Sequence, residues 1–369
     1  IMSHVLVTGG AGFIGANFLY FLRRARPDWH LLNLDLLTYA GNLDNLSGFQ
    51  GDPRYTFVQG DVADLDLIQN LFTRYPITRV VHFAAESHVD RSILDPGIFV
   101  RTNVVGTFTL LEAARRAWEN PAGPEAPRFL HVSTDEVYGS LGPHDPPVTE
   151  AAPYAPRSPY AASKAAADFL VRSYFHTYGL PVLITNCSNN YGPYQFPEKL
   201  IPFTLSQALE GQPIPIYGQG TNVRDWLFVD DHCQALLQVL EQGRLGETYN
   251  IGGRQELPNL ELVRCLLRLL GEMRPDLGDL DRLITLVPDR PGHDWRYALN
   301  IAKIESQLGW RPQVELTEGL RRTLAWYLGH QDWLSRVRSQ AYRAFLKQQY
   351  GTGVIGPDEP LESRNLEGR

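Results

Sequence analysis

The chain is short of sulfur. Three cysteines, Cys187, Cys233 and Cys265, stand far apart in 369 residues, odd in number and without metal-ligand spacing. They read as reduced, mostly buried thiols of a cytoplasmic protein. The ten histidines are scattered, with no HExxH or similar cluster, so no catalytic metal is expected. No apolar run approaches the ~20 residues of a membrane span, and a strand beginning at His4 is expected to leave no room for a signal peptide. Positive charge is in deficit: 34 Lys and Arg against 41 Asp and Glu give a net charge of −7. That balance argues against nonspecific binding to nucleic acid or an anionic membrane, though not against a local basic pocket. Internal repeats and low-complexity blocks are missing too.

What is present is an ordinary globular composition, 43% hydrophobic and 20% charged, enough for one large or two modest domains. Short apolar runs alternate with helical patterns. Val5–Val7, Leu31–Leu34, Tyr55–Gln59, Arg79–Phe83, Arg128–Ser133 and Val182–Asn186 read as strands. Phe13–Arg24, Leu65–Tyr75, Ile98–Glu119 and Tyr160–Tyr178 read as helices. Such alternation predicts an α/β fold, a doubly wound parallel sheet of the Rossmann type, with ligands beyond the carboxyl ends of its strands. Gly9, Asp35, Asp61, Ala84, Thr134 and Asn186 fall at those ends. After residue 188 proline, glycine and aromatics become frequent, and the helical patterns Asp230–Gln242, Asn259–Leu270 and Leu316–Leu328 follow. The expected division is a dinucleotide-binding domain over residues 1–188 and a smaller, irregular substrate-binding lobe mainly over 189–350, with some segments returning to the first domain. Residues 351–369 read as a polar tail.

Thr8-Gly9-Gly10-Ala11-Gly12-Phe13-Ile14-Gly15 lies between the first strand and the first helix. Glycine there permits a tight turn, close approach of backbone to a pyrophosphate, and close helix–strand packing. The helix N-terminus then offers free N–H groups to the phosphates. Asp35, twenty residues past Gly15, suits the ribose hydroxyls of NAD and repels a 2′-phosphate, so NAD is the expected cofactor. Asp61 is placed to hold the adenine amino group or to cap the next helix.

Ser133-Thr134-Asp135-Glu136-Val137-Tyr138-Gly139-Ser140 sets two adjacent carboxylates just after an apolar strand. Tyr160-Ala161-Ala162-Ser163-Lys164 then places a phenol and an ammonium one helical turn apart. A nearby ammonium stabilises phenolate, which makes Tyr160 a base near neutral pH. With an acid and a second base at hand, such a site does more than move a hydride: it can eliminate water. Either carboxylate alone also reads as a helix cap, and Thr134 as a strand-end hydrogen-bonder.

With these residues in place the chain resembles the extended short-chain dehydrogenase/reductase superfamily and, more narrowly, its dTDP-glucose 4,6-dehydratase family. The likeness runs from the glycine loop to about Tyr350. It is carried by Leu37–Asn42, Ala84–Ser92, Ser133–Gly139, Thr185–Pro202, Asn222–Trp226 and Asp289–Asp294. The glycine loop and Tyr-x-x-x-Lys belong to the whole superfamily; Asp135-Glu136 is far more selective, and related epimerases lack it. One departure is Trp295, where the family commonly carries a basic residue.

The resemblance implies conversion of dTDP-glucose to dTDP-4-keto-6-deoxyglucose. Thr134, Asp135, Glu136, Tyr160 and Lys164 would carry the chemistry: Tyr160 on the 4-hydroxyl with Thr134 beside it, Glu136 on the C5 proton, Asp135 on the departing 6-hydroxyl. NAD would lie on Gly9, Gly12, Phe13, Ile14, Gly15, Asp35, Thr38, Asp61, Val62, Ala84, Thr102, Tyr160, Lys164 and Asn190. The sugar nucleotide would be held by Ser87, Thr134, Asn189, Glu198, Lys199, Leu200, Pro215, Tyr217, Arg224, Asn259, Arg290, His293 and Tyr297. Arg224 suits phosphate oxygens, and Tyr217 a stack on thymine. The helices at Ile98–Glu119 and Tyr160–Tyr178 imply a homodimer by analogy. Three rivals stand beside this reading: another nucleotide-sugar dehydratase, a 4-epimerase, and a catalytically idle NAD-binding scaffold.

Overall fold

The computed structural model describes residues 3–119, 126–338 and 348. Seven parallel strands form the central sheet. In chain order they are β1 (His4–Thr8), β2 (His30–Asp35), β3 (Tyr55–Gln59), β4 (Ile77–His82), β5 (Arg128–Thr134), β6 (Val182–Cys187) and, after three strands described below, β10 (Thr248–Ile251). Their spatial order is β10-β6-β5-β4-β1-β2-β3, so the direction of winding reverses between β1 and β4, where a crevice opens.

The strands are apolar because both faces of the sheet are covered. Val5 and Val7 of β1 join one core with Phe18, Leu19 and Leu22 of α1 (Phe13–Ala25). Leu6, between them, joins the opposite core with Leu110 and Val171, the period-two alternation of a strand. Helices α2 (Leu65–Arg74), α5 (Gly106–Ala117) and α6 (Pro159–Tyr178) cover that second face.

The helix expected over Ile98–Glu119 is interrupted. After α3 (Val89–Leu94) the chain forms α4 (Pro96–Phe99), a π-helical stretch over Val100–Val105, and then α5. The widened turn brings Thr102 to the crevice and lets Asn103 donate to Glu86 O at 3.0 Å and Ser163 Oγ at 2.8 Å. Such bulges commonly serve a site rather than the helix. Gly106 ends it, and a Cβ there would meet Cγ2 of Val62 at 2.5 Å.

The second half of the chain adds β7 (Asn189–Tyr191), β8 (Ile214–Tyr217), β9 (Val223–Phe228), β11 (Glu256–Pro258) and β12 (Ile284–Val287). They form a sheet of order β11-β9-β7 and a parallel pair β12-β8. Helices α7 (Leu200–Leu209), α9 (Asn259–Met273), α11 (Leu316–Gly329) and α12 (Gln331–Val337) pack there around a core drawn wholly from residues 191–337. Helix α8 (Val229–Gln242), strand β10 and helix α10 (Ala302–Leu308) return to the first core instead. Trp333 of α12, a helix absent from the sequence reading, donates its indole N–H to Asn45 Oδ1 at 2.7 Å. Residues 351–369, read as a polar tail, lie outside the described residues. Among the described residues no helix is long and apolar enough to cross a membrane.

Candidate active site

The carboxyl ends of β1–β6 border a cleft of about 310 Å³. All fourteen residues expected to hold NAD line it, from Gly9 to Asn190. Its floor is the turn after β1. Gly9 adopts φ +75°, and a Cβ on it would lie 2.7 Å from the Ala84 nitrogen. At Gly15 a Cβ would lie 2.2 Å from Gly9 O, whereas at Gly12 it would meet only Gly9 O at 3.4 Å. Gly9 and Gly15 are therefore required by packing, and Gly12 keeps the surface bare.

Gly12 caps α1 without a side-chain hydrogen bond, and no acid sits in the first turn, so the helix N-terminus is left to an anion. Asp35 is buried at the end of β2. Its Oδ2 accepts from Ala11 N at 2.9 Å and Oδ1 from Leu37 N at 2.8 Å, which leaves a second lone pair on each oxygen for hydroxyl donors. These features fit a dinucleotide with an unphosphorylated ribose. Asp61 accepts from Ala63 N and from the exposed Arg101, both at 2.8 Å. Asn190 spends its amide on Ser188 O at 3.0 Å and His232 Nδ1 at 2.9 Å, a rigid mounting that the sequence did not reveal.

The five catalytic candidates border the same cleft. Strand β5 ends at Thr134, and a 3₁₀ turn begins at Asp135. Thr134 Oγ1 accepts from Glu136 N at 3.3 Å and donates to Asp135 Oδ1 at 3.2 Å. Asp135 is buried and its Oδ2 has no partner. Burial first, and then the charge of Glu136, push its carboxyl well above the usual range. Glu136 is raised too, by burial, but Arg290, Arg224 and Lys199 oppose the rise. Of the two adjacent carboxyls Asp135 is thus raised the further, the order that an acid beside a base requires.

Tyr160 and Lys164 are both buried on α6, a helix started by Ser158, whose hydroxyl accepts from Ala161 N at 3.0 Å, and by Pro159. Lys164 Nζ donates to Val132 O at 2.8 Å, and burial lowers it to about 8. Here the structure departs from the sequence reading. Tyr160 is pushed well above the ordinary phenol value, by burial and then by Glu136, with the Thr134 hydroxyl as the opposing hydrogen bond. Lys164 is committed to the Val132 carbonyl. The chain's own groups therefore raise this phenol rather than lower it.

Of the thirteen residues expected around the sugar nucleotide, Ser87, Thr134, Asn189, Glu198 and Lys199 line the cleft. Arg224, Arg290, His293, Tyr217 and Tyr297 lie outside that lining, though the charges of Arg224 and Arg290 reach Glu136. Arg224 is buried with its guanidinium 4.4 Å from the Tyr297 ring centroid. Arg290 pairs with Asp90 at 3.1 Å, Asp90 accepts from Tyr217 at 3.3 Å, and the Tyr217 ring stands edge-on to His293 at 5.9 Å. Tyr297 donates its hydroxyl to Asp294. Leu200 packs against the second-lobe core, Pro215 is buried in β8, and Asn259 opens α9 with its Oδ1 buried and without a partner. None of these three borders the cleft. Asp90 was missed as a site residue although it lies within the quoted stretch Ala84–Ser92.

A family model described as GDP-mannose 4,6 dehydratase matches residues 6–323. The dTDP-glucose 4,6-dehydratase of Neisseria meningitidis serogroup B is 52% identical over 358 residues, spanning 95% of this chain and 100% of that protein. The crystal structure of dTDP-glucose 4,6-dehydratase from Streptomyces venezuelae, with NAD bound, matches at 49% identity and a TM-score of 0.83, over 90% of this chain and 99% of that one. The Bacillus anthracis dTDP-glucose 4,6-dehydratase in complex with NAD matches at 44% identity and 0.81, over 91% and 99%.

Proposed function

This chain belongs to the dTDP-glucose 4,6-dehydratase family, and from that premise we infer how its residues divide the work. It is an NAD-dependent hydro-lyase that converts dTDP-glucose to dTDP-4-keto-6-deoxyglucose. One observation carries the division of labour: burial and the charge of Glu136 push Asp135 well above its ordinary value, while three cations, Arg290, Arg224 and Lys199, oppose the rise at Glu136.

NAD, which the glycine turn, Asp35 and Asn190 would hold, would supply the acceptor for the hydride of sugar C4 and the donor for C6, so no second redox substrate would be consumed. Tyr160 takes the proton of the 4-hydroxyl, and the charge of a nicotinamide cation is the influence that brings its phenol into range. Thr134 hydrogen-bonds the same oxygen. The resulting 4-ketone acidifies the C5 proton, which Glu136 removes as an ionised base. Asp135, kept neutral by its surroundings, donates its proton to the 6-hydroxyl, and water leaves. Glu136 then returns a proton to C5.

Residues 1–188 bind the cofactor and residues 189–350 mainly the sugar nucleotide, with β10 returning to the first sheet. Arg224 and Arg290 take the diphosphate, for which a planar guanidinium is suited. The protein works as a homodimer in the cytoplasm. The pairing is supported by Phe108, Phe169 and Tyr178, which leave 42%, 55% and 56% of their surface exposed on α5 and α6, and the compartment by three free thiols.

The deciding experiment is mass spectrometry of the purified protein with dTDP-glucose and no added reductant. A product lighter by one water is expected, and a sugar returned unchanged would refute the reading. GDP-mannose and UDP-glucose in parallel reactions test the base preference.

A further inference from the structure

A second group of polar side chains lies beneath the catalytic residues and takes no part in the scheme above. At its centre is Asp168, fully buried on α6. It sits one helical turn beyond Lys164 and two beyond Tyr160, so all three share one face of the helix. Its Oδ2 accepts from Ser133 Oγ at 2.9 Å and from the Tyr154 hydroxyl at 2.8 Å. Its Oδ1 lies 3.2 Å from Nε2 of His131, off the hydrogen-bonding direction. Tyr154 in turn accepts from Arg172 at 2.8 Å and Asn186 at 3.2 Å.

Two of these partners, His131 and Ser133, belong to β5, and Ser133 immediately precedes Thr134-Asp135-Glu136. The two halves of the catalytic set thus come from two elements, β5 and α6, which Asp168 joins from below. We propose that Asp168 is a positioning residue for the dehydration, fixing α6 against β5 and supplying the negative charge that keeps Lys164 an ammonium. The assignment rests on the dehydratase reading given above.

The charges around Lys164 make the second part specific. His131 and His82, on β5 and β4, are buried imidazoles held neutral by burial, His131 at about 4 and His82 well below its ordinary value. Cys187 on β6 is a thiol pushed up to about 12 by burial, and Tyr160 is a phenol. Among these groups Asp168 is the one carboxyl, and its charge is the first influence opposing the lowering that burial imposes on Lys164. A carboxylate that served packing alone would be replaceable by its isosteric amide without moving the lysine's titration.

The chain has four lysines, Lys164, Lys199, Lys303 and Lys347, so ε-¹³C-lysine labelling of the full chain gives four signals to follow through a pH titration, with Lys164→Arg to assign one of them. In the parent that signal is expected to titrate at about 8. In Asp168→Asn its midpoint is expected to fall by about one pH unit, the size of effect an adjacent opposite charge exerts. The alkaline limb of kcat for keto-sugar formation should move down with it, while KM stays within twofold. An unmoved midpoint overturns the proposal. If the midpoint moves and the parent makes no keto sugar, the dehydratase reading fails instead, and the charge assignment stands. Should Asp168→Asn not fold, Ser133→Ala keeps the charge and removes one bond to it. There kcat is expected to fall about tenfold, the value of one hydrogen bond to a charged group, with the lysine midpoint in place. Parental kcat in that variant would overturn the positioning role.

Discussion

Thr134 donates its hydroxyl to Oδ1 of Asp135 at 3.2 Å, while Oδ2 of the same buried carboxyl has no partner. Burial and the charge of Glu136 push this carboxyl well above its ordinary value, against the Thr134 hydrogen bond, which favours the ionised form. Glu136, one residue on, is raised by burial as well, but Arg290, Arg224 and Lys199 oppose that rise. Acid and base are thus separated by surroundings rather than by residue type.

Glu136→Gln is expected to lower keto-sugar formation by about a hundredfold to ten-thousandfold, the range of a positioned general base, with NAD content unchanged. Asp135→Asn should stop loss of water while exchange of the C5 proton with deuterated solvent persists. Mass spectrometry of the recovered sugar reads both, and an unaffected yield in either variant assigns that role elsewhere.

Arg290→Gln removes a cation that eases ionisation of Glu136. A carboxyl deprived of a positive neighbour needs a higher pH to ionise, so the acid limb of kcat should move upward, by about half a unit to one unit. A pH–rate profile of parent and variant checks the sign; a limb moving downward contradicts the base role.

Gly15→Ala and Gly12→Ala separate packing from ligand approach. A Cβ at Gly15 lies 2.2 Å from Gly9 O and 2.8 Å from the Gly10 Cα, so the turn must open, at a cost of about 1–3 kcal/mol. Gly12→Ala meets only Gly9 O at 3.4 Å and should leave thermal unfolding near the parent value while reducing NAD content. Calorimetry and cofactor released on denaturation report the two effects.

Phe169→Asp places a charge on the most exposed phenylalanine of α6. Sedimentation should show a dimer for the parent and a monomer for the variant, with unchanged far-ultraviolet circular dichroism. A monomeric parent would remove the dimer from the account.

Much of the first domain was legible because its signals are local. Val5, Leu6 and Val7 alternate between two buried faces, and the turn from Gly9 to Gly15 states its geometry through residues with no side chain to hide it. The helix read over Ile98–Glu119 failed at Val100–Val105, where a π-helical stretch serves Thr102 and Asn103 rather than the apolar period. Strand β10 was not read as a strand: its four residues, Thr248–Ile251, find their register only against β6. In the site, Leu200 stood in a family-like segment yet does not border the cleft, and neither do Pro215 and Asn259, because a segment places a stretch of chain and not the direction of each side chain.

The sequence by itself determined the parallel sheet, the dinucleotide turn, the preference for an unphosphorylated ribose, and the presence of Thr134, Asp135, Glu136, Tyr160 and Lys164 in one chain. Those follow from periodicity, from glycine's missing Cβ and from the short-range spacing of a helix. Folding set the burial and neighbouring charges that raise Asp135, Glu136 and Tyr160 to different degrees, and it turned Lys164 to Val132 with Asp168 one helical turn on. Desolvation and Coulomb interaction act through space. The cations that set Glu136 apart from Asp135, Lys199 and Arg290, are far along the chain, and folding alone brings their charge to it.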